Sequence, residues 1–328
     1  MSFFKNILGG AAVIAAATVA QADELKLASF AGSKYHLHVG MFVPLAEAFS
    51  EATGGETTMR VYPGGELGAG PAKQYDRAVD GVADISYALP GYTASQFPQT
   101  LMVEVPGIVK PGANKTEALW ANINMLESEF RRTKLLGLWT AADGMLLMAE
   151  KRVESLDDLA GLKIRVPSKN TGRLVEAWGA TPVSMPISQV YQAMETGVVD
   201  GTLVDASVLK SFKLGEVTRH ITTGMNATNS VFMLVMNRDS WDDLSDEEQA
   251  IMTNLTGADM SENGRVIMTN AADKALAAWV EAGGEVTTLS VDAAAAFNAA
   301  SDGLAAEVIA ELDGEGLKAS AIAEALRR

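Results

Sequence analysis

A pair of histidines, a glycine-rich run, two aspartate pairs and an arginine inside an apolar stretch are the groups in this 328-residue sequence whose type and spacing could do chemistry. His36 and His38 stand two apart, so on a strand they would share a face and could hold a metal. No acidic partner lies beside them, and Leu37 and Val39 fit a helix start equally well, so no metal site is expected. The glycines of Pro63-Gly64-Gly65-Glu66-Leu67-Gly68-Ala69-Gly70 do not fit Gly-x-Gly-x-x-Gly, and no Lys-Ser/Thr follows; a turn is expected there rather than a phosphate cradle. Asp157-Asp158 and Asp242-Asp243 sit in polar, turn-like contexts and read as solvated faces. No Gly-x-Ser-x-Gly elbow and no His-Glu-x-x-His occurs, so nothing assembles a nucleophile, a base and an oxyanion hole. Arg165 is different. It alternates with Ile164 and Val166, whose apolar side chains would enter a core, so its guanidinium points to the other face. There its paired donors match the two oxygens of a carboxylate, of a ligand or of a surface ion pair. The pattern favours binding over catalysis.

The elements that must position these groups follow an α/β grammar. A strand fits Leu25 to Ser29, a helix Val39 to Glu51, with Phe42, Leu45, Ala46 and Phe49 on one face, and a strand Thr57 to Tyr62. Strand–helix–strand order implies a parallel unit. A helix over Pro71 to Val79, stopped by Gly81, and a strand over Asp84 to Ala88 continue it. The order returns as strand Leu162–Val166, helix Thr171–Trp178, strand Thr181–Met185, helix Ile187–Glu195 and strand Gly201–Val204. Tyr75-x5-Gly81-Val82-Ala83-Asp84 matches Tyr191-x5-Gly197-Val198-Val199-Asp200, with a glycine suited to a left-handed helix end before each aspartate. Two similar lobes are expected. The tail from Trp241 is Ala-rich and helical, with a start signal at Ser245-Asp246-Glu247-Glu248, and a helix through Met260 to Ala282 is long enough to bridge lobes.

Composition narrows the classes further. A hydrophobic fraction of 48% supports full cores and excludes a disordered chain. The absence of cysteine removes disulfides, zinc fingers, iron–sulfur clusters and thiol nucleophiles. A net charge of −15 argues against a nucleic-acid partner, which would need a phosphate-neutralising surface. Residues 1–22 read as an export signal: Lys5, an apolar run from Ile7 to Ala20, then Ala20-Gln21-Ala22 as a small-x-small cleavage site. That run spans roughly 21 Å as a helix, short of a ~30 Å hydrocarbon core. The mature chain would start at Asp23 and be exported and soluble.

The longer motifs are specific. Leu156-Asp157-Asp158-Leu159-Ala160-Gly161-Leu162-Lys163-Ile164-Arg165-Val166-Pro167 resembles the solute-binding subunits of TRAP transporters, the DctP family. So do Gly179-Ala180-Thr181-Pro182-Val183-Ser184-Met185-Pro186 and the run from Gln189 to Gly201. Tyr62-Pro63-Gly64-Gly65-Glu66-Leu67-Gly68 and Met236-Asn237 with Trp241 and Leu244 fit the same family. The resemblance implies a two-lobed α/β periplasmic binding protein, type II-like, with inter-lobe crossing strands, a long bridging helix and a ligand cleft. Residues 23–142 and 230–270 would form lobe I, and 143–229 with 271–328 lobe II and the C-terminal helices. It implies a periplasmic receptor that hands a small organic acid to TRAP membrane permease subunits, and it makes Arg165 the carboxylate clamp; a monomer is the default for a diffusing receptor, and no enzyme activity or cofactor is expected. The same fold serving another carrier or a sensor, and a periplasmic enzyme on a two-lobe scaffold, are the alternatives.

Departures from the family pattern bear on the ligand. Phe30, Leu89, Met145, Ile187, Leu203 and Val204 stand where members that bind sugar acids carry hydrogen-bonding side chains. A second cleft arginine, expected near Met145, is missing, and the usual Glu before Val-Tyr is Gln189. A monocarboxylate with an apolar or aromatic body is therefore expected. Tyr87, Asp205, Asn226 and Asn229 are candidate polar contacts, and His36 could face the cleft from a helix start.

Overall fold

The computed structural model describes residues 23–328; the export signal expected at residues 1–22 lies outside the described residues. The strands are, in chain order, β1 (Asp23–Ala28), β2 (Thr57–Tyr62), β3 (Ile85–Ala88), β4 (Thr133–Thr140), β5 (Met145–Met148), β6 (Lys163–Val166), β7 (Thr181–Ser184), β8 (Gly201–Val204), β9 (His220–Thr223), β10 (Val231–Asn237) and β11 (Glu285–Thr288). They form a five-stranded sheet in the order β2-β1-β3-β10-β4, which defines lobe I. A six-stranded sheet, β11-β9-β5-β8-β6-β7, defines lobe II. The two sheets are built alike. In each, three parallel strands are extended by an antiparallel strand that arrives from the other lobe: β10 beside β3, and β5 beside β8. The chain therefore crosses between lobes at residues 141–144 and 224–230.

The internal repeat accounts for this likeness. Gly81 and Gly197 both take a left-handed backbone (φ +68° and +70°) and end their helices. The N–H of Val82 reaches back to Arg77 and that of Val198 to Ala193, so the orphan carbonyls of each last turn are used. Asp84 then accepts the N–H of Lys26, and Asp200 that of Lys163, both at 2.7 Å. Each aspartate pins two parallel strands where their ladder begins.

A capping box at Ser245 and Glu248 starts the helix Asp246–Leu255. The next helix, Ala258–Glu281, lies along β4 and reaches the helix Val208–Ser211 of lobe II, so it bridges the lobes. Glycines permit the approach: a Cβ at Gly137 of β4 would come within 2.5 Å of Met260 Cε. Ser261 Oγ accepts the Leu138 N–H at 2.9 Å in the same contact. The tail is not wholly helical. After Gly283-Gly284 the chain forms β11, a short edge strand parallel to β9 whose half-exposed residues carry little apolar signal. The C-terminal helices pack on both lobes: Trp178 Nε1 donates to Phe297 O at 3.0 Å, and Arg327 Nε donates to Gly107 O at 3.3 Å.

Candidate functional site

The parallel strands β1 and β3 of lobe I and β6 and β8 of lobe II point their C-terminal ends at one small cavity. Lobe I contributes Phe30, Tyr35, Leu89, Tyr92 and Phe232; lobe II contributes Arg165, Ile187, Val204, Asp205 and Phe212; and Met268 of the bridging helix closes one side. About 30 Å³ inside is open to water-sized molecules, room for about two waters. A ring-sized ligand enters only if the walls part.

Arg165 reaches this cavity because β6 alternates. Ile164 and Val166 are buried in the apolar cluster behind the sheet, and the arginine side chain projects from the opposite face. It is 1% exposed. Nε donates to Met185 O at 2.9 Å, and Nη2 donates to Tyr92 Oη at 3.2 Å. Among the described residues no carboxylate oxygen lies within 4.0 Å of it. Burial lowers its pKa from the usual arginine value, but a guanidinium stays charged in proteins. A buried cation without an anion is costly, and the remaining N–H donors of this one are available at the cavity.

Arg77 of lobe I provides a contrast. It too is buried, but its Nη1 and Nη2 donate to the carbonyls of Gly70 and Ala69 at 3.2 and 2.6 Å. A Cβ at Gly68 would meet the Arg77 guanidinium at 2.8 Å. The glycine-rich run is thus a turn tied down by an arginine.

The wall of lobe I is aromatic. Phe30 stacks on Tyr87 at 4.9 Å between ring centroids, and Tyr87 stacks in turn on Phe232 at 5.5 Å and on Trp139 at 5.9 Å. The Tyr35 and Tyr87 hydroxyls share a hydrogen bond of 3.1 Å, and burial raises both phenol pKa values. Asp205 is buried in the lobe II wall. Its Oδ1 accepts the Ser207 N–H at 2.9 Å, and burial pushes its carboxyl above the usual range.

Of the residues singled out from sequence, Arg165, Phe30, Leu89, Ile187, Val204 and Asp205 come together on this cavity. Tyr87 forms the layer behind Phe30. His36 lies against Tyr35, ring centroids 3.9 Å apart; burial lowers its pKa to about 4, and Nε2 has no partner among the described residues. Leu203 turns to the core cluster, because it precedes Val204 on β8 and neighbours on a strand face opposite sides. Met145, Asn226 and Asn229 line a separate, open groove of about 750 Å³ beside the two crossing segments. That groove is larger, and three of its polar groups serve one another: Lys115 Nζ donates to Asn229 Oδ1 at 2.6 Å, and Asn229 Nδ2 donates to Asp143 Oδ1 at 2.9 Å. The sequence reading missed Tyr35, Tyr92, Phe212, Phe232 and Met268. Phe232 could have been found from the alternation of β10, whereas Tyr35 and Phe212 sit on a bend and a turn and Tyr92 in a short 3-10 stretch, none long enough to show a period.

Two lobes joined by exchanged strands, closing on a cavity with one free guanidinium and aromatic walls, define a two-lobed solute receptor. The family model for bacterial extracellular solute-binding protein, family 7 (DctP), matches residues 27–312, and the chain belongs to that family, the solute receptors of TRAP transporters, which are binding proteins and not enzymes. The structure is similar to a marine metagenome TRAP solute binding protein specific for aromatic acid ligands, in complex with 3-hydroxybenzoate. The TM-score is 0.88 at 28% identity, over 93% of this chain and 97% of that one. A TRAP solute binding protein from Rhodoferax ferrireducens with copurified benzoate gives 0.88 at 25% identity, over 93% and 96%. The ectoine/5-hydroxyectoine-binding periplasmic protein UehA of Ruegeria pomeroyi is 28% identical over 95% of this chain and 92% of its own. Among the described residues no helix is long and apolar enough to cross a membrane.

Proposed function

We propose that this receptor works in the periplasm, after removal of residues 1–22, and takes up a monocarboxylate with an apolar or aromatic body. The observation that carries the proposal is Arg165, buried without an anionic partner in a cavity whose other wall is a stack of rings. The carboxylate lies against the guanidinium of lobe II and the apolar body against Phe30 and Phe232 of lobe I. Leu89, Ile187 and Val204 complete the apolar lining. A sugar acid would leave hydroxyls unpaired against these side chains, at about 1–3 kcal/mol for each. The relatives with 3-hydroxybenzoate and benzoate support the same ligand class. Hinge closure follows from the crossing segments 141–144 and 224–230, with lobe boundaries near 142 and 230; the ligand favours the closed form because both lobes then touch it. The monomeric receptor then delivers its ligand to the membrane permease.

A thermal-shift panel on the mature chain tests this. Benzoate, phenylacetate and mandelate are expected to raise the melting midpoint by several degrees, since ligand at 100 times Kd adds about 2.7 kcal/mol. A larger shift with succinate or a uronate than with every ring acid would overturn the ligand class.

A further inference from the structure

Tyr92 belongs to lobe I, in the 3-10 helical stretch Pro90–Gln96 that follows β3, yet both hydrogen bonds of its hydroxyl go to lobe II. Oη accepts from Arg165 Nη2 at 3.2 Å and from the Ile187 N–H at 2.9 Å. A phenol oxygen has one proton to donate besides what it accepts. With both contacts taken as acceptor, and no protein acceptor bonded to it among the described residues, that proton is available to the cavity that Tyr92 lines beside Arg165. The neighbouring residue shows how tightly the lobes meet here. A Cβ on Gly91 would lie 2.9 Å from Ser168 Cβ and 3.2 Å from Pro167 O, so any larger side chain would hold the 89–92 segment away from lobe II.

We infer that Tyr92 completes the carboxylate site across the lobe boundary: its oxygen fixes the Arg165 guanidinium, and its O–H donates to the carboxylate that the guanidinium holds. The inference rests on the carboxylate reading of Arg165 and adds a specificity-determining group from the opposite lobe. Lobe II alone offers a cation. Only the closed receptor offers a cation plus a neutral donor, so capture of the charge and closure become one event. A ligand oxygen at this point gains a hydrogen bond that forms when the lobes meet, and its loss should speed release more than it slows binding.

The test uses benzoate labelled with 13C at the carboxyl carbon, with wild type, Tyr92→Phe and Arg165→Ala as full mature chains. Stopped-flow binding should show koff at least tenfold faster in Tyr92→Phe, with kon changed less than threefold. The bound 13C-carboxyl resonance should move, a signature that a merely structural tyrosine would not produce. Gly91→Ala reads the same contact by sterics, should also speed release, and stands in for Tyr92→Phe if that variant does not fold. Benzoate binding lost in Arg165→Ala, with wild-type koff or an unmoved resonance in Tyr92→Phe, would overturn the role of Tyr92 and leave the carboxylate reading standing. Benzoate binding unchanged in Arg165→Ala would overturn both.

Discussion

The two walls of the cavity differ in what they leave unsatisfied. In lobe I the rings of Phe30, Tyr87, Phe232 and Trp139 stack on one another, and the two buried phenol groups of Tyr35 and Tyr87 share a hydrogen bond. Apart from the Tyr92 hydroxyl, that wall has little polar capacity to spare, so it offers area. In lobe II Arg165 is equally buried but holds only a carbonyl and a tyrosine oxygen, and Asp205 is met by the turn at Ser207. That wall offers charge. The same division separates the two buried arginines: Arg77 spends two guanidinium nitrogens on the carbonyls of a glycine turn, and Arg165 does not. Under the proposed function, two lobes with one strand plan do different work: lobe I receives the ligand's body, and lobe II, joined by Tyr92, receives its head group.

The sharpest way to break this comparison is to remove the charge. Arg165→Ala should weaken every carboxylate by at least about 100-fold, since the lost charge-assisted pair in a dry site is worth about 3 kcal/mol; isothermal titration across aliphatic and aromatic acids reads it. A loss confined to aromatic acids would contradict the assignment of charge to lobe II.

The next effect sits between the lobes. Glu104 of lobe I is 1% exposed, accepts from Ser168 Oγ of lobe II and from the Val231 N–H, and is pushed up to about 7 by burial against the pull of Lys115. A carboxyl whose folded pKa is raised binds its proton more tightly in the fold than in the unfolded chain. Its contribution is therefore whole below pH 4.5, its usual value, and is lost as pH rises through about 7. The loss amounts to about 3 kcal/mol at most. His36, held neutral by burial, acts in the opposite sense as pH falls below 6.5 toward 4. The measurement is therefore the difference in unfolding free energy between wild type and Glu104→Gln from pH 4 to 8. That difference should change with pH and level off above 7, and a flat difference would refute the assignment.

Trimming the ring stack should cost less and be selective. Phe30→Ala and Phe232→Ala are expected to weaken benzoate about tenfold, from lost apolar contact area, while leaving acetate or propionate within about threefold. Equal losses for all acids would mean that lobe I does not read the ligand's body. Smallest of all, Asn226→Ala, in the hinge groove, should leave benzoate affinity within about twofold.

Much of this was legible in the sequence because strands and capped helices have a period or a punctuation. β2 and β8 run over the residues that alternation marked out, Ser245 caps its helix, and the Tyr-x5-Gly repeat marks equivalent points of both sheets. Arg165 was legible for the same reason, as the polar member of an alternating strand. Leu203 and Val204 show the limit of resemblance without geometry, since adjacent strand residues cannot both face one cavity. Met145 pairs with Val204 across β5 and β8 but lies a strand further out, where the hinge groove begins. Tyr92, in a short 3-10 stretch, and Tyr35, in a bend before a helix, were hidden because tertiary contact alone brings them to the cavity.

The division of labour is tested most directly by a crystal structure of the mature protein with bound benzoate. The account predicts the carboxylate within hydrogen-bond distance of the Arg165 guanidinium and the Tyr92 hydroxyl, with the ring between Phe30 and Phe232. A ligand held in the groove beside Met145 and Asn226, or one whose ring packs on Arg165 with its carboxylate toward lobe I, would contradict it.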